Sequence, residues 1–318
     1  MRSPLLRALS PRALVGADAP LLRLLSWLKA REYRFTAITP ASHARVLERP
    51  LSGAVSPRDI FGWSRTFDCA EIEPELLDIM RAADLIEGTD DSSRSRLRVA
   101  SLGDDLFLHS SFPTEDAEAV FFGPDTYRFA EFIRDQAGAL PSAPAALLDM
   151  GAGSGAGGIF AARLLPDTAI TLVDINPQAL RLAALNTAFA GVPAQCHCSG
   201  VVPTGQDLII ANPPYMIDAG ERAYRDGGDL YGGKVALDWA RQALQALNPG
   251  GTLLLYTGAS VVDGETPLIE ALAQLGADQH AVLSVRERDP DVFGEELSNP
   301  AYADVERIAV LEIVLRKA

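Results

Sequence analysis

The chain has 318 residues, 48% hydrophobic and 22% charged, a composition that builds a packed core and excludes the disordered and fibrous classes. Single cores stop growing at roughly 250 to 300 residues, so the length favours two domains; three cysteines with no CxxC and no His/Cys spacing suited to zinc exclude a disulfide scaffold and a structural zinc. A net charge of −14 opposes nonspecific attraction to nucleic acid or anionic membrane, no apolar run reaches the roughly 18 residues of a membrane span, and a reducing, cytoplasmic compartment fits best.

The acidity is uneven. Between Met1 and Arg65 eleven Lys and Arg stand against four Asp and Glu, a surplus of seven, so the rest of the chain carries −21. Arg2, Arg7 and Arg12 are the charged side chains before Asp18 and read as one face of a basic surface helix. Residues 20–31 and 73–86 follow as amphipathic helices, with a short third one at 57–63. After the polar run Asp90-Asp91-Ser92-Ser93, the segments 96–101 and 105–110 alternate around Gly103-Asp104 as a β-hairpin does. Helices followed by a hairpin predict a smaller N-terminal domain, helical or winged-helix-like, over residues 1–118. Such a fold by itself does not choose between nucleic acid and protein contacts.

From residue 120 onward short apolar runs alternate with helical segments, the pattern of repeated βαβ units. Strands are expected at 145–150, 169–174, 194–198, 207–211, 251–256, 281–285 and 308–315. The helix at 177–189 opens on Pro177, whose missing N–H is unpaired in a first turn anyway, and the helix at 238–247 is stopped by Asn248-Pro249-Gly250-Gly251. The fold class is α/β: a seven-stranded, Rossmann-like sheet over residues 119–318 whose last hairpin reverses direction. His197 lies on an expected buried strand and reads as a core residue. Cys196 and Cys198, two apart on that strand, share a face and read as packing residues.

Two motifs carry chemistry. In Leu147-Leu148-Asp149-Met150-Gly151-Ala152-Gly153-Ser154-Gly155 a buried strand runs into a glycine-rich turn and then a helix, bringing backbone and free helical N–H groups close to a ligand. Asp174 ends the next strand 19 residues after Gly155, where a carboxylate accepts from both hydroxyls of a ribose; Ile175 follows it. Asp149, two residues before Gly151, is suited to a cationic or amino-bearing ligand and favours S-adenosylmethionine over NAD. The second motif is Asn212-Pro213-Pro214-Tyr215 at the exit of the 207–211 strand. Its two prolines stiffen the chain, so that the Asn212 side chain and the Pro213 carbonyl are held as acceptors for a planar NH2 group, with Tyr215 as a stacking face.

On these residues the chain resembles the class I S-adenosylmethionine-dependent methyltransferases, whose glycine loop follows the pattern acid, any, Gly, any, Gly, any, Gly, matched from Asp149 to Gly155. Within them it resembles the Asn-Pro-Pro-Tyr subgroup, which methylates amide or exocyclic amine nitrogens. Phe122-Gly123-Pro124-Asp125-Thr126 and Asp226-Gly227-Gly228 look like segments of the release-factor glutamine methyltransferases, a resemblance that covers about residues 120–318. It implies S-adenosyl-L-methionine as cofactor, held by Asp125, Thr126, Asp149, Gly151, Gly153, Gly155, Asp174, Ile175 and Asn212, with Asn212, Pro213 and Tyr215 at the acceptor. The chain departs from that family at Ser199-Gly200, where an acid is usual, and at Tyr256-Thr257-Gly258, where a Glu is usual.

The implied partner is a macromolecular methyl acceptor, foremost a protein glutamine side chain. The alternative acceptor is an exocyclic amine of an rRNA, tRNA or DNA base, with the basic N-terminal face and Arg94, Arg96 and Arg98 on the wing as its footprint. A catalytically idle cofactor-binding module is the third reading, opposed by the intact turn from Asn212 to Tyr215. Gly228 to Lys234 matches Gly-x4-Gly-Lys but is not a phosphate loop, because Val235 stands where magnesium needs Ser or Thr and no apolar strand precedes it. Residues 218–233, with Arg222, Arg225 and Tyr231, read instead as a mobile loop over the substrate.

Overall fold

The computed structural model describes residues 8–9, 18–51, 53–114, 116, 118–217 and 224–318. Arg2, Arg7, Arg12 and the loop residue Arg222 lie outside them, but Ala8–Leu9, within the expected basic helix, form a strand instead, paired with the edge of the sheet. Proline at the first or second position opens α1 (Ala19–Ala30), α2 (Pro40–Leu47), α3 (Pro57–Phe61) and α4 (Pro74–Ala82). Side-chain caps fix several of these starts. Ser56 and Asp59 bond each other's backbone N–H at α3, and Thr39 accepts from Ser42 at 3.4 Å at α2. Two hairpins follow, β2 (Ile86–Thr89) with β3 (Ser92–Ser95) and β4 (Leu97–Leu102) with β5 (Asp105–Ser110), the latter turning at Gly103-Asp104 as expected. Within the polar run at 90–93, Asp90-Asp91 are thus the turn of a further hairpin and Ser92-Ser93 open its second strand.

The remainder alternates α5 (Pro124–Ala137), β6 (Ala146–Met150), α6 (Ala156–Leu164), β7 (Ala169–Asp174), α7 (Pro177–Ala190), β8 (Ala194–Cys198), β9 (Gln206–Ala211), α8 (Lys234–Ala246), β10 (Leu247–Val261), α9 (Pro267–Asp278), β11 (Ala281–Asp289) and β12 (Arg307–Lys317). These seven strands form one sheet in the order β8-β7-β6-β9-β10-β12-β11, and a two-residue edge strand, β1 (Ala8–Leu9), pairs antiparallel with β8. Among the seven, β12 is the reversed strand, antiparallel to both β10 and β11, so that β11 runs with the parallel strands. Consecutive side chains bury on opposite faces. Leu147, Leu172, Ile210 and Leu254 pack with Phe129, Phe132, Ile133 and Ile159 on one side. Leu148, Val173, Ile209 and Leu253 pack with Ala240, Leu244 and Leu272 on the other. A sheet covered on both faces explains why these strands read as unbroken apolar runs.

The N-terminal helices and hairpins share a third core, Leu24, Leu25, Leu28, Leu76, Ile79, Met80, Val99 and Leu108, and it includes Ala179, Leu182 and Leu185 of α7. Helix α7 is therefore apolar on two sides, its Leu180 and Ala183 facing the sheet. Asn186, fully buried on it, accepts from the Leu108 N–H at 2.9 Å and donates to Leu108 O at 3.1 Å and to Ser154 O at 2.8 Å.

Three sequence expectations are corrected. His197 is half-buried, with Nε2 3.4 Å from Gln195 Oε1, because β8 lies near the sheet edge. Cys196 is buried, whereas Cys198, the last residue of the same strand, is exposed. Arg98 is not on an exposed wing. It is buried, Nε donating to Ser110 O at 3.1 Å and Nη1 lying 3.4 Å from His43 Nδ1, and burial lowers its pKa to about 10.

These contacts fix His43 as the Nε2–H tautomer, donating to Trp63 O at 2.8 Å, and burial depresses its pKa to about 4. His109 is fully buried, stacked on Phe122 at 5.3 Å, with neither ring nitrogen partnered, and burial holds its pKa well below the usual value. Both imidazoles take up protons more readily in the unfolded chain, so folding stability is expected to be lost as pH falls from 6.5 through about 4. Thermal melts across that range test this, and His109→Leu, which removes a group that must stay neutral, is expected to shallow the dependence without lowering Tm at pH 7.5.

Candidate functional site

Strand order reverses between β6 and β9, the place where an open α/β sheet leaves a crevice beyond its strand ends. Met150 pairs with Ala211 across these strands, so the glycine loop and the Asn-Pro-Pro turn leave the sheet side by side. The cleft between them is lined by Thr126, Phe129, Asp149, Gly151, Gly153, Asp174, Ile175, Ser199, Gly200, Asn212, Pro214 and Trp239, among others. Of the residues singled out in the sequence, the structure thus gathers Thr126, Asp149, Gly151, Gly153, Asp174, Ile175 and Asn212 around one cleft. Asp125, Gly155, Pro213 and Tyr215 adjoin these in the chain but are not among its lining residues.

Asp149 is the penultimate residue of a strand buried on both faces, and its Oδ2 accepts from the Gly158 N–H at 2.7 Å, bracing the first turn of α6. Burial pushes its carboxyl up to about 7, with the charge of Asp174 adding in the same direction. Asp174 accepts from Gly153 N–H at 2.9 Å through Oδ2 and from Asn176 N–H at 2.9 Å through Oδ1. A carboxylate has about four lone-pair sites, so two remain for hydroxyls. Ile175, next to it, exposes 63% of its surface, an apolar side chain held on the cleft wall. Gly151 has φ +69°, and a Cβ there would lie 2.2 Å from the Trp239 ring, so glycine is required twice over. Gly155 instead lets α6 approach α7, where a Cβ would meet Ala183 at 3.2 Å.

Asn212 is half-buried on the cleft wall, and none of the described residues hydrogen-bonds to its side chain. Pro213 is buried between it and the half-buried Pro214. The Tyr215 ring, read in the sequence as a stacking face, is 9% exposed and packed with Met216, Tyr302 and Val305; its hydroxyl donates to Asp125 Oδ2. Asp125, read as a cofactor contact, is 3% exposed and committed to that phenol and to Tyr256, which donates to Oδ1 at 2.8 Å. Thr126 also closes the start of α5, accepting from Gly123 N–H at 3.2 Å.

Trp239 and Tyr224 were not legible beforehand. Trp239 is half-buried on α8, and its ring reaches Gly151, 88 residues away. Tyr224 lines the cleft from beyond the Asn-Pro-Pro-Tyr turn, its hydroxyl donating to Thr114 O at 2.8 Å. The one signal was an aromatic in each case beside an Ala- or Gly-rich stretch. Ser199 and Gly200, where the resembled family carries an acid, do line the cleft. No group of three or more His, Cys, Asp or Glu among the described residues is arranged to hold a metal ion, and none of their helices is long and apolar enough to cross a membrane.

Comparison with known proteins agrees with this geometry. Residues 137–261 match the family profile of the methyltransferase small domain. A release factor glutamine methyltransferase of Deinococcus radiodurans is 36% identical over 124 residues, 34% of this chain and 44% of that protein. One of Gloeobacter violaceus is 29% identical over 197 residues, 57% of this chain and 60% of that protein. A ribosomal protein uL3 glutamine methyltransferase of Bordetella pertussis is 32% identical over 127 residues, 35% of this chain and 43% of that protein. The chain spans about half the length of the curated relatives it matches. Over residues 137–261 it is similar to the methyltransferase small domain, and S-adenosylmethionine is the cofactor that this similarity implies. The cleft fits that cofactor: a loop of close backbone, a carboxylate with two open lone pairs, an exposed apolar neighbour and a buried acid.

A cationic ligand favours ionised Asp149, which is half protonated near pH 7. Cofactor affinity is therefore expected to fall as pH drops below about 7, approaching tenfold per unit. Calorimetry at pH 7 in buffers of different ionisation enthalpy is expected to show proton release on binding, and Asp149→Asn to abolish it.

Proposed function

We propose that the protein is an N-methyltransferase acting on a planar amide nitrogen, foremost a glutamine side chain of a protein. The observation that carries this reading is the Asn212 side chain at the switch point, to which none of the described residues hydrogen-bonds, beside the glycine loop in register with it. S-adenosylmethionine, when bound, supplies the electrophilic methyl group. Gly151 and Gly153 admit it close to the backbone, while Asp174 and Ile175 hold its nucleoside end. Asn212 Oδ1 and the Pro213 carbonyl would accept hydrogen bonds from the two N–H groups of the acceptor, turning its lone pair out of conjugation and toward the methyl group. The new N–C bond forms as the sulfonium C–S bond breaks, the neutral thioether leaves, and one N–H proton is released to solvent. Holding two reactants in line supplies roughly 7 to 11 kcal/mol of a barrier, so the site works by orientation and needs no strong base.

Relatives named for release factor and for ribosomal protein uL3 support a protein acceptor in the translation machinery. Of the hairpin arginines behind the base-amine alternative, Arg98 is buried and Arg94 lies 3.6 Å from Glu87, which leaves Arg96 as the exposed one. Labelled methyl transfer into a cell lysate tests the proposal. Label that survives nuclease and is lost with protease supports the glutamine reading, and the reverse overturns it. Asn212→Ala is expected to lower kcat by about 100-fold or more while Tm stays near wild type; a variant with full activity removes the amide-holding role.

A further inference from the structure

Behind the cleft a single carboxylate joins the two halves of the site. Asp125, in the first turn of α5, accepts from the Tyr215 hydroxyl through Oδ2 and from the Tyr256 hydroxyl through Oδ1 at 2.8 Å. Arg128, one turn along, donates to the same Oδ1 at 3.2 Å and reaches Asp289 Oδ2 on β11 at 3.1 Å. Burial, and then the charge of Asp125, push both phenols far above their ordinary range, so each remains a donor. The Tyr215 ring has a dedicated seat: a Cβ at Gly258 would lie 2.3 Å from it. Gly258 and Tyr256 belong to the segment where the resembled family usually carries a Glu.

We propose that Asp125 is a positioning residue for methyl transfer, holding the acceptor turn through Tyr215 against the helix whose next residue, Thr126, lines the cofactor cleft. The coupling has a physical path. Tyr215 is joined to Asn212 by two prolines whose φ angles are locked near −65°, so few torsions are free to absorb a shift at the tyrosine. Pinning the phenol therefore pins the Asn212 side chain and the Pro213 carbonyl, and it pins them to the element that also walls the cofactor. Tyr215 thus acts through its hydroxyl and its seat, on the side of the turn away from the cleft, and not as a stacking face.

This inference rests on the methyl-transfer reading above, and the test separates the two. In the full-length chain, Tyr215→Phe keeps the ring and its stacking capacity and removes the hydroxyl. With the labelled acceptor it is expected to lower kcat about tenfold while KM and cofactor affinity change less than about threefold. Asp125→Asn is expected to do the same, and the double variant to be no worse than either alone, since both break one link. Amide exchange at Met216 and Ile217 is expected to accelerate in each. Full kcat in Tyr215→Phe, or a rise in KM with kcat intact, overturns the clasp. If wild-type protein labels no macromolecule, the proposed function fails, and unchanged amide exchange in Tyr215→Phe then overturns the clasp independently.

Discussion

The register between β6 and β9 is the constraint on which the site depends. Pairing Met150 with Ala211 brings the ends of two strands level, 61 residues apart in sequence, and aims both exits into one crevice. One exit is a run of glycines at positive φ and the other a pair of prolines. A slip of one residue would turn every side chain of one strand to the opposite face and exchange the apolar sets that the helices cover. The two separate cores, one on each face, are what fix that register. Packing far from the chemistry thereby sets the distance across it.

Electrostatics then hold the wall in place. Helix α5 carries Arg128, Glu131 and Asp135 along one side, and β11 answers with Asp289, Arg288 and Arg286. Glu312 on β12, 2% exposed, joins Arg286 and Arg288 from beneath. Single exposed pairs contribute little to stability, but a linked series anchored on a buried carboxylate defines one arrangement of helix on sheet. The last hairpin, remote from the cleft in sequence, is in this way the footing for the element that bears Asp125 and Thr126.

Much of the architecture was legible because it rests on local rules. Apolar runs marked all seven strands, prolines marked helix starts, and Gly103-Asp104 marked a hairpin turn. What escaped involves pairs far apart in the chain. Nothing near Tyr215 announces a carboxylate 90 residues upstream, and nothing near Gly151 announces Trp239. The family resemblance pointed to Asp125 and the Asn-Pro-Pro-Tyr motif to Tyr215, but neither told which side of the site they occupy. The burial of Arg98 escaped for the same reason, since its partners Ser110 and His43 lie on other elements and charge alone suggested solvent. Helix α2 was missed because its eight residues mix His, Ser, Arg and Ala with little apolar periodicity.

Asn186 carries a consequence for modular exchange. One side-chain amide closes on the backbone of β5 and on the carbonyl of Ser154 in the glycine loop. The leucines that precede it, Leu182 and Leu185, are buried in the N-terminal core although the helix lies between two strands of the sheet. A chimera joined at the connection after β5 would strip one face of α7 bare and cut an amide loose inside the cofactor loop. The natural seam for grafting a new recognition unit therefore follows the surface of α7, and an exchanged unit must bring with it the three side chains at positions 179, 182 and 185 that its own helices were shaped to cover.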